Sequence, residues 1–99
     1  MEKTTLIALD EFCALHNIEV SFVSSLSQNG LISITTIQES GFIDNGQLQQ
    51  LEKFIRLYYE LDINLEGIET ITYLLQRITN QQEEITVLRN RLRLYEKKQ

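Results

Sequence analysis

Apolar residues recur in a heptad pattern along the last third of the chain. The first core positions are Ile71, Ile78, Ile85 and Leu92, and the second core positions, three residues later, are Leu74, Gln81, Leu88 and Tyr95. A stripe with this spacing follows one side of a helix and is buried best by another helix. The pattern therefore predicts a C-terminal coiled-coil helix, with these eight positions joining two copies of the chain into a homodimer.

The pattern leaves the orientation and the continuity of this helix open. In a parallel pair, Glu84 would face the partner's Arg89, which favours that orientation by charge. A polar residue at core position Gln81 and the capping-box pattern of residues 80–83 are instead compatible with an antiparallel pair, or with a break near Asn80. A further alternative is that the start of the stripe, up to Ile78, packs on the chain's own domain.

Two short helices joined by a turn are predicted near the N-terminus. The apolar positions of the first are Leu9, Phe12, Cys13 and Leu15. Asp10 and Glu11 lie in its first turn, where the helix dipole favours carboxylates. The second helix is predicted over residues 18–28 and ends near Gly30, a typical residue at a helix C-terminus. Together they predict a helix-turn-helix.

A small hairpin, or wing, is predicted next. Residues 31–37 are rich in β-branched side chains, and Glu39-Ser40-Gly41 resembles a turn before Phe42 and Ile43. Asp44 or Asn45 is then predicted to cap a third helix, which ends near Asp62. Its apolar positions are Leu48, Leu51, Phe54, Ile55, Tyr58 and Leu61.

Asn64 is positioned to cap a fourth helix, with Glu66 in its first turn, that leads into the heptad segment. The predicted fold is therefore mainly α. It consists of a winged helix-turn-helix domain over residues 1–78 and a coiled-coil dimerisation helix over residues 79–99.

Charge changes the interpretation of the helix-turn-helix. Residues 1–50 contain six carboxylates and one lysine, whereas residues 51–99 are neutral, which gives the net charge of −5. The predicted recognition helix, residues 18–28, has several serines but no arginine or lysine for phosphates or guanine. The basic residues of the tail are Arg89, Arg91, Arg93, Lys97 and Lys98. We therefore expect no specific DNA binding by this chain on its own.

The side chains that carry most enzyme chemistry are scarce. One cysteine, Cys13, and one histidine, His16, allow no internal disulfide and are too few for a metal site. Glycine-rich phosphate loops are missing, and adjacent carboxylates diverge on a helix. We expect a protein without enzymatic activity, cofactor or metal. Because no apolar stretch approaches the roughly 20 residues that span a bilayer, and residues 1–9 lack a secretory cleavage pattern, we expect a cytoplasmic location away from membranes.

Four segments resemble the CbpM-type chaperone-modulator proteins, which have a MerR-like DNA-binding fold. They are Glu11-Phe12-Cys13, Arg56-Leu57, residues 60–68 with the sequence ELDINLEGI, and Leu88-Arg89-Asn90-Arg91-Leu92. Residues 61–68 are the most specific segment, and the resemblance covers residues 9–93. The chain departs from the family at Phe42, where members often carry tryptophan, and at Ser33-Ile34, where they carry an acidic residue followed by proline.

The resemblance implies a function in protein binding. Chaperone modulators of this type bind the J-domain of a DnaJ-like co-chaperone of the CbpA type and inhibit its stimulation of Hsp70, and a basic J-domain surface complements an acidic domain. The candidate partner-binding residues are Asp10, Glu11, Glu19, Glu60, Asp62, Glu66, Glu69 and Tyr59. The acids also have structural alternatives, such as pairing of Glu60 with Arg56. The alternative function is a MerR-type transcriptional regulator that binds DNA as a dimer.

Overall fold

The computed structural model describes residues 5–97 and begins with a strand that the apolar pattern did not predict. Strand β1 (Leu6–Ala8) pairs antiparallel with β3 (Ser40–Asp44), which also pairs antiparallel with β2 (Thr35–Ile37). The sheet order is therefore β1-β3-β2. The predicted hairpin is present, but its first strand is shorter than residues 31–37. Lys98 and the outer ends of the two predicted domains, residues 1–4 and 98–99, lie outside the described residues.

The turn of this hairpin differs from the prediction in its register. Ile37 lies opposite Ser40, so Gln38 and Glu39 alone form the turn, and Ser40 and Gly41 belong to β3. The φ angles of Gln38 and Glu39 are 50° and 67°. Positive φ at both central residues is the mark of a type I′ turn, whose twist matches that of the flanking strands. The prediction of a turn at residues 39–41 was wrong because strand pairing, rather than glycine content, determines this register.

The helix-turn-helix is formed by α1 (Leu9–His16) and α2 (Val20–Gln28). Helix α2 begins two residues later than predicted because Glu19 is its extended N-cap. Gly30 follows α2 with a φ of 75°, and the Leu31 N–H donates to the Leu26 carbonyl at 2.9 Å, which confirms the predicted glycine end. Leu15, predicted on the apolar face of α1, is 82% exposed.

The third predicted helix changes character along its length. A 3-10 turn (Asn45–Gln47) precedes α3 (Leu48–Ile55), and a π-helical turn (Arg56–Glu60) follows. The predicted cap is confirmed, since the Asp44 carboxylate accepts the Gly46 N–H at 2.9 Å. A π turn is wider than an α turn, so side chains after Ile55 leave the 3.6-residue spacing. Tyr58 and Leu61, predicted on the buried face, are accordingly 38% and 62% exposed.

Helix α4 (Leu65–Lys97) is continuous, so the alternative of a break near Asn80 is wrong. Its predicted N-cap is confirmed: the Asn64 Oδ1 atom accepts the Gly67 N–H at 2.8 Å. Seven of the eight heptad core positions are exposed in the single chain, and Ile71 is half-buried. Pairing of this helix with a second copy stays a prediction, and so does its orientation.

The core lies between the short helices and the sheet. Its fully buried aliphatic residues, at 0% exposure, are Val23, Leu26, Ile43, Leu51 and Ile68. Each stabilises the fold by roughly 1.5–3 kcal/mol relative to an exposed side chain. The segment before β2 is held differently: the Gln47 amide accepts the Ser33 N–H at 2.7 Å and donates to the Ser33 carbonyl at 2.9 Å.

The structure divides into two units, one ending at Ile68 and the other beginning at Glu69. The first is the winged helix-turn-helix, and the second is the remainder of α4. The predicted fold class, mainly α with a small β wing and a long C-terminal helix, is confirmed. The domain boundary predicted between residues 78 and 79 stays a prediction. Among residues 5–97, no helix combines the length and the apolar character needed to cross a membrane.

Candidate functional site

Three aromatic side chains meet where the π turn packs against α2, and we call Phe22, Tyr58 and Tyr59 the aromatic corner. The Tyr58 ring stacks on Phe22 with centroids 4.4 Å apart, and Tyr59 meets Phe22 edge-on at 5.5 Å. The two tyrosine rings lie 5.0 Å apart at 73° to one another. Phe22 is buried, whereas the tyrosines keep 38% and 39% of their surface exposed. The corner is therefore a fixed aromatic surface that remains open to a ligand.

Backbone hydrogen bonding fixes the corner to the start of α2. The Tyr59 hydroxyl accepts the N–H of Glu19, the N-cap residue of α2, at 3.1 Å. The Ser21 hydroxyl in turn donates to the Glu19 carboxylate at 3.2 Å. Because the first N–H groups of a helix have no partner within it, the tyrosine completes the cap from another element. This interaction gives Tyr59, predicted to contact a partner, a structural role as well.

Two clefts open at the aromatic corner and share Tyr58. The smaller, of ≈ 130 Å³, is lined by Glu19, Ser21, Phe22, Ser25, Tyr58 and Leu65. The larger, of ≈ 360 Å³, is lined by Tyr58, Tyr59, Asp62, Ile63 and Asn64. Each lining set contains one carboxylate and no basic side chain. The structure thus brings Glu19, Tyr59 and Asp62 of the predicted binding residues to the clefts.

Asp62 is held in place by the end of the π turn. Its φ is 55°, and the hydrogen bonds on either side run from Leu61 N–H to the Arg56 carbonyl at 3.1 Å and from Ile63 N–H to the Leu57 carbonyl at 2.9 Å. Aspartate is one of the few residues that adopts this left-handed conformation readily. The carboxylate therefore lines the larger cleft from a backbone of defined geometry.

The other predicted acids occupy different positions. Glu60 accepts a hydrogen bond from Arg56 Nε at 3.2 Å, which is the structural role that the sequence analysis gave as the alternative to partner binding. Both side chains are largely exposed. Such a pair contributes about 0.2–0.5 kcal/mol. Asp10 and Glu11 lie exposed in the first turn of α1, and Glu66 lies in the first turn of α4. Glu69 is the first residue of the second unit.

The first unit is acidic over its described length. Residues 5–68 contain nine carboxylates but only one lysine and one arginine, Lys53 and Arg56. Eight of the nine carboxylate residues are exposed, and Asp44 is half-buried. Helix α2 contributes no basic residue. This surface repels phosphate and attracts cationic groups.

Cys13 and His16 form no site together. Cys13 is buried in the core, and burial, with a smaller contribution from the Asp10 charge, raises the pKa of its thiol above the ordinary value of 9.0. His16 is exposed and lies against the Phe12 ring, with centroids 4.2 Å apart. Across residues 5–97, no three His, Cys, Asp or Glu side chains are grouped to hold a metal ion.

The family model described as MerR HTH family regulatory protein matches residues 7–90 of the chain. The chain belongs to the MerR HTH family. No curated protein and no solved structure gives a significant match. The matched range of this MerR HTH protein includes the helix-turn-helix, the wing and most of α4.

Sequence reasoning missed part of the aromatic corner of this MerR HTH protein. Helical spacing places Tyr58 on the buried face and leaves only Tyr59 as a binding residue, whereas both tyrosines are partly exposed at the corner. The available signal was the adjacent Tyr58-Tyr59 pair, since tyrosine has an apolar ring and a polar hydroxyl and often stays partly exposed with its hydroxyl group in water. The π turn has no recognised local sequence pattern, and the cap that Tyr59 provides joins residues 40 positions apart in the chain.

Proposed function

We propose that this MerR HTH protein is an adaptor that binds a basic protein surface through its acidic helix-turn-helix domain, and that its partner is the J-domain of a DnaJ-like co-chaperone of the CbpA type. By occupying the basic helix of the J-domain, it would prevent that helix from stimulating Hsp70. The protein itself performs no chemistry in this account.

The observation that carries the proposal is the charge of the domain. Residues 5–68 have nine carboxylates against two basic side chains, and α2, which would read DNA in a helix-turn-helix, has no basic residue. Protein–DNA affinity depends largely on cations that neutralise phosphates. An acidic domain instead steers and selects a basic protein by complementary charge. The resemblance of residues 11–13 and 60–68 to the chaperone modulators supports the J-domain as that protein.

We further propose that the protein acts as a homodimer through α4. The exposed apolar stripe of the single chain, including Ile78, Ile85 and Leu92 at 49%, 48% and 57% exposure, supports this arrangement. Apolar side chains repeated at heptad spacing are buried when two such helices pair. A dimer would present two acidic domains to its partners.

Neutralisation of local charges tests the proposed binding surface. The variant Glu60→Gln/Asp62→Asn removes two charges near the aromatic corner, and Glu39→Gln/Glu52→Gln removes two from the wing tip and α3. Asparagine is chosen at position 62 because it tolerates positive φ. With equal net charge, both variants lose the same long-range attraction. We expect the corner variant to weaken J-domain affinity at least fivefold more than the control in calorimetry; equal affinities would contradict a binding surface at the corner.

DNA binding is the second candidate, because the family description is that of regulatory helix-turn-helix proteins. Its best support is the group of exposed basic residues near the C-terminal end of α4, namely Arg89, Arg91, Arg93 and Lys97. Titration of the chain with its own upstream DNA at several salt concentrations distinguishes the two functions. Saturable binding with a steep negative salt slope would favour DNA, whereas the adaptor account predicts no specific shift.

A further inference from the structure

The larger cleft at the aromatic corner combines three features in one place. Tyr58 and Tyr59 contribute aromatic rings, Asp62 contributes a carboxylate, and Ile63 contributes an aliphatic surface. The volume of ≈ 360 Å³ lies at the lower end of the range for ligand pockets and admits one extended side chain. We propose that this cleft receives one arginine side chain of the partner protein, which rests on the proposed function of binding a basic protein surface.

The chemistry of the lining selects a cation on an apolar stem. Aromatic faces attract a cation through their quadrupole, and a carboxylate forms charge-assisted hydrogen bonds with it. The methylene groups of a long basic side chain pack against rings and aliphatic surface while the charge is held at the end. A neutral or acidic side chain of the same length would gain only the apolar contact.

Arginine fits this lining better than lysine. Its planar guanidinium stacks on a tyrosine ring and still presents several N–H donors in its plane to the Asp62 carboxylate. Lysine carries a compact, strongly hydrated charge that neither stacks nor makes a bidentate contact. The ring pair and the adjacent carboxylate therefore favour a guanidinium.

Contacts within the domain position the groups of the cleft before it binds. Phe22 packs against both tyrosines, the Tyr59 hydroxyl accepts the Glu19 N–H at 3.1 Å, and the backbone of Asp62 is fixed at positive φ. Ordering these groups on binding costs little, which favours affinity. The chain's own arginine nearest in sequence, Arg56, is engaged with Glu60 at 3.2 Å.

Nuclear magnetic resonance with a small probe tests the site without the partner. N-acetyl-arginine amide is titrated against the full chain while the Tyr58 and Tyr59 ring resonances are followed, with the corresponding citrulline amide as a neutral probe of the same shape. We expect saturable shifts with a Kd on the order of millimolar for arginine, at least fivefold weaker binding for Asp62→Asn, and no change for Glu52→Gln. Equal shifts with citrulline, or no shift of either ring, would overturn the assignment.

Titration of the chain and its variants with the J-domain tests the arginine site and the proposed partner independently of one another. If the arginine probe binds at the corner but the J-domain does not bind the chain, the arginine site stands and the partner is wrong. If the J-domain binds, but Tyr58→Leu and Asp62→Asn leave its affinity within twofold of Glu52→Gln, the arginine site is wrong and the proposed function stands. We expect losses of roughly tenfold for both corner variants, corresponding to about 1.4 kcal/mol.

Discussion

Gly67 lies in the first turn of α4, where its N–H completes the Asn64 cap and a side chain has no room. A Cβ atom there would lie 2.7 Å from Ile63 Cγ2 and 3.2 Å from Asn64 Oδ1. The branched Ile63 side chain is stiff, so relief of this contact must move the cap or the backbone. Gly67→Ala should therefore lower the free energy of unfolding by about 1 kcal/mol, since the cost of overpacking exceeds the helix propensity that alanine adds.

Urea unfolding of Gly67→Ala beside Gly46→Ala measures this effect. At Gly46 an added Cβ would meet only the Asp44 carboxylate, at 3.6 Å or more, which is ordinary contact. The control should remain within about 0.5 kcal/mol of the natural chain. A Gly67→Ala variant as stable as its control would contradict the geometry of this cap.

The buried thiol of Cys13 makes stability depend on alkaline pH. Its pKa is raised in the folded chain by burial and by Asp10, so the unfolded thiol ionises first, near its ordinary value of 9.0. The unfolded state then binds fewer protons than the folded state, and stability falls as pH rises. Between pH 7 and pH 10, the free energy of unfolding should therefore decrease more for the natural chain than for Cys13→Ala. An identical decrease in both would show that the thiol does not contribute.

At the scale of elements, the sequence predicted those parts whose signals are local. Helix caps at Asp44 and Asn64 were found because side-chain oxygens bond N–H groups two or three residues away. Strand β1 was missed because its three residues become a strand only by pairing with β3. The π turn, and with it the paired exposure of Tyr58 and Tyr59, was missed because helical spacing assumes 3.6 residues per turn throughout. The candidate acids could be read directly from the sequence. The clefts lined by Glu19, Tyr59 and Asp62 could not, because they form only when distant segments pack together.

A glycine substitution in the β2–β3 turn tests the register of the wing. Both turn residues have positive φ, and a glycine replacement at Glu39 removes the cost of a side chain in that conformation. Glu39→Gly should raise the free energy of unfolding by about 0.5–1 kcal/mol. The same replacement in regular helix α3, Glu52→Gly, should lower it by about 1 kcal/mol.

In thermal and urea unfolding, the transition midpoints of these two variants should shift in opposite directions from that of the natural chain. If Glu39→Gly destabilises the chain as much as Glu52→Gly does, the turn cannot lie at residues 38 and 39. The wing would then have the turn at residues 39–41 that its sequence favours.

At the scale of the whole molecule, the proposed pairing of α4 would determine how many acidic domains act together. Leu88 is a heptad core position and is 54% exposed in the single chain. A charged residue there would be buried in a pair, so Leu88→Lys should shift the dimer towards monomer. The control variant Asn90→Lys adds the same charge on the face of the helix opposite the heptad core positions. Sedimentation equilibrium should give a monomer for the first variant and a dimer for the second; equal masses would contradict pairing through this stripe.

We propose that the acidic winged domain of this MerR HTH protein binds a basic protein rather than DNA. Calorimetric titration of the purified chain against an isolated J-domain, at low and moderate salt, tests it most directly. We expect saturable binding that weakens as salt screens the complementary charges. Absence of binding at high micromolar concentration, with specific binding to upstream DNA under the same conditions, would contradict it.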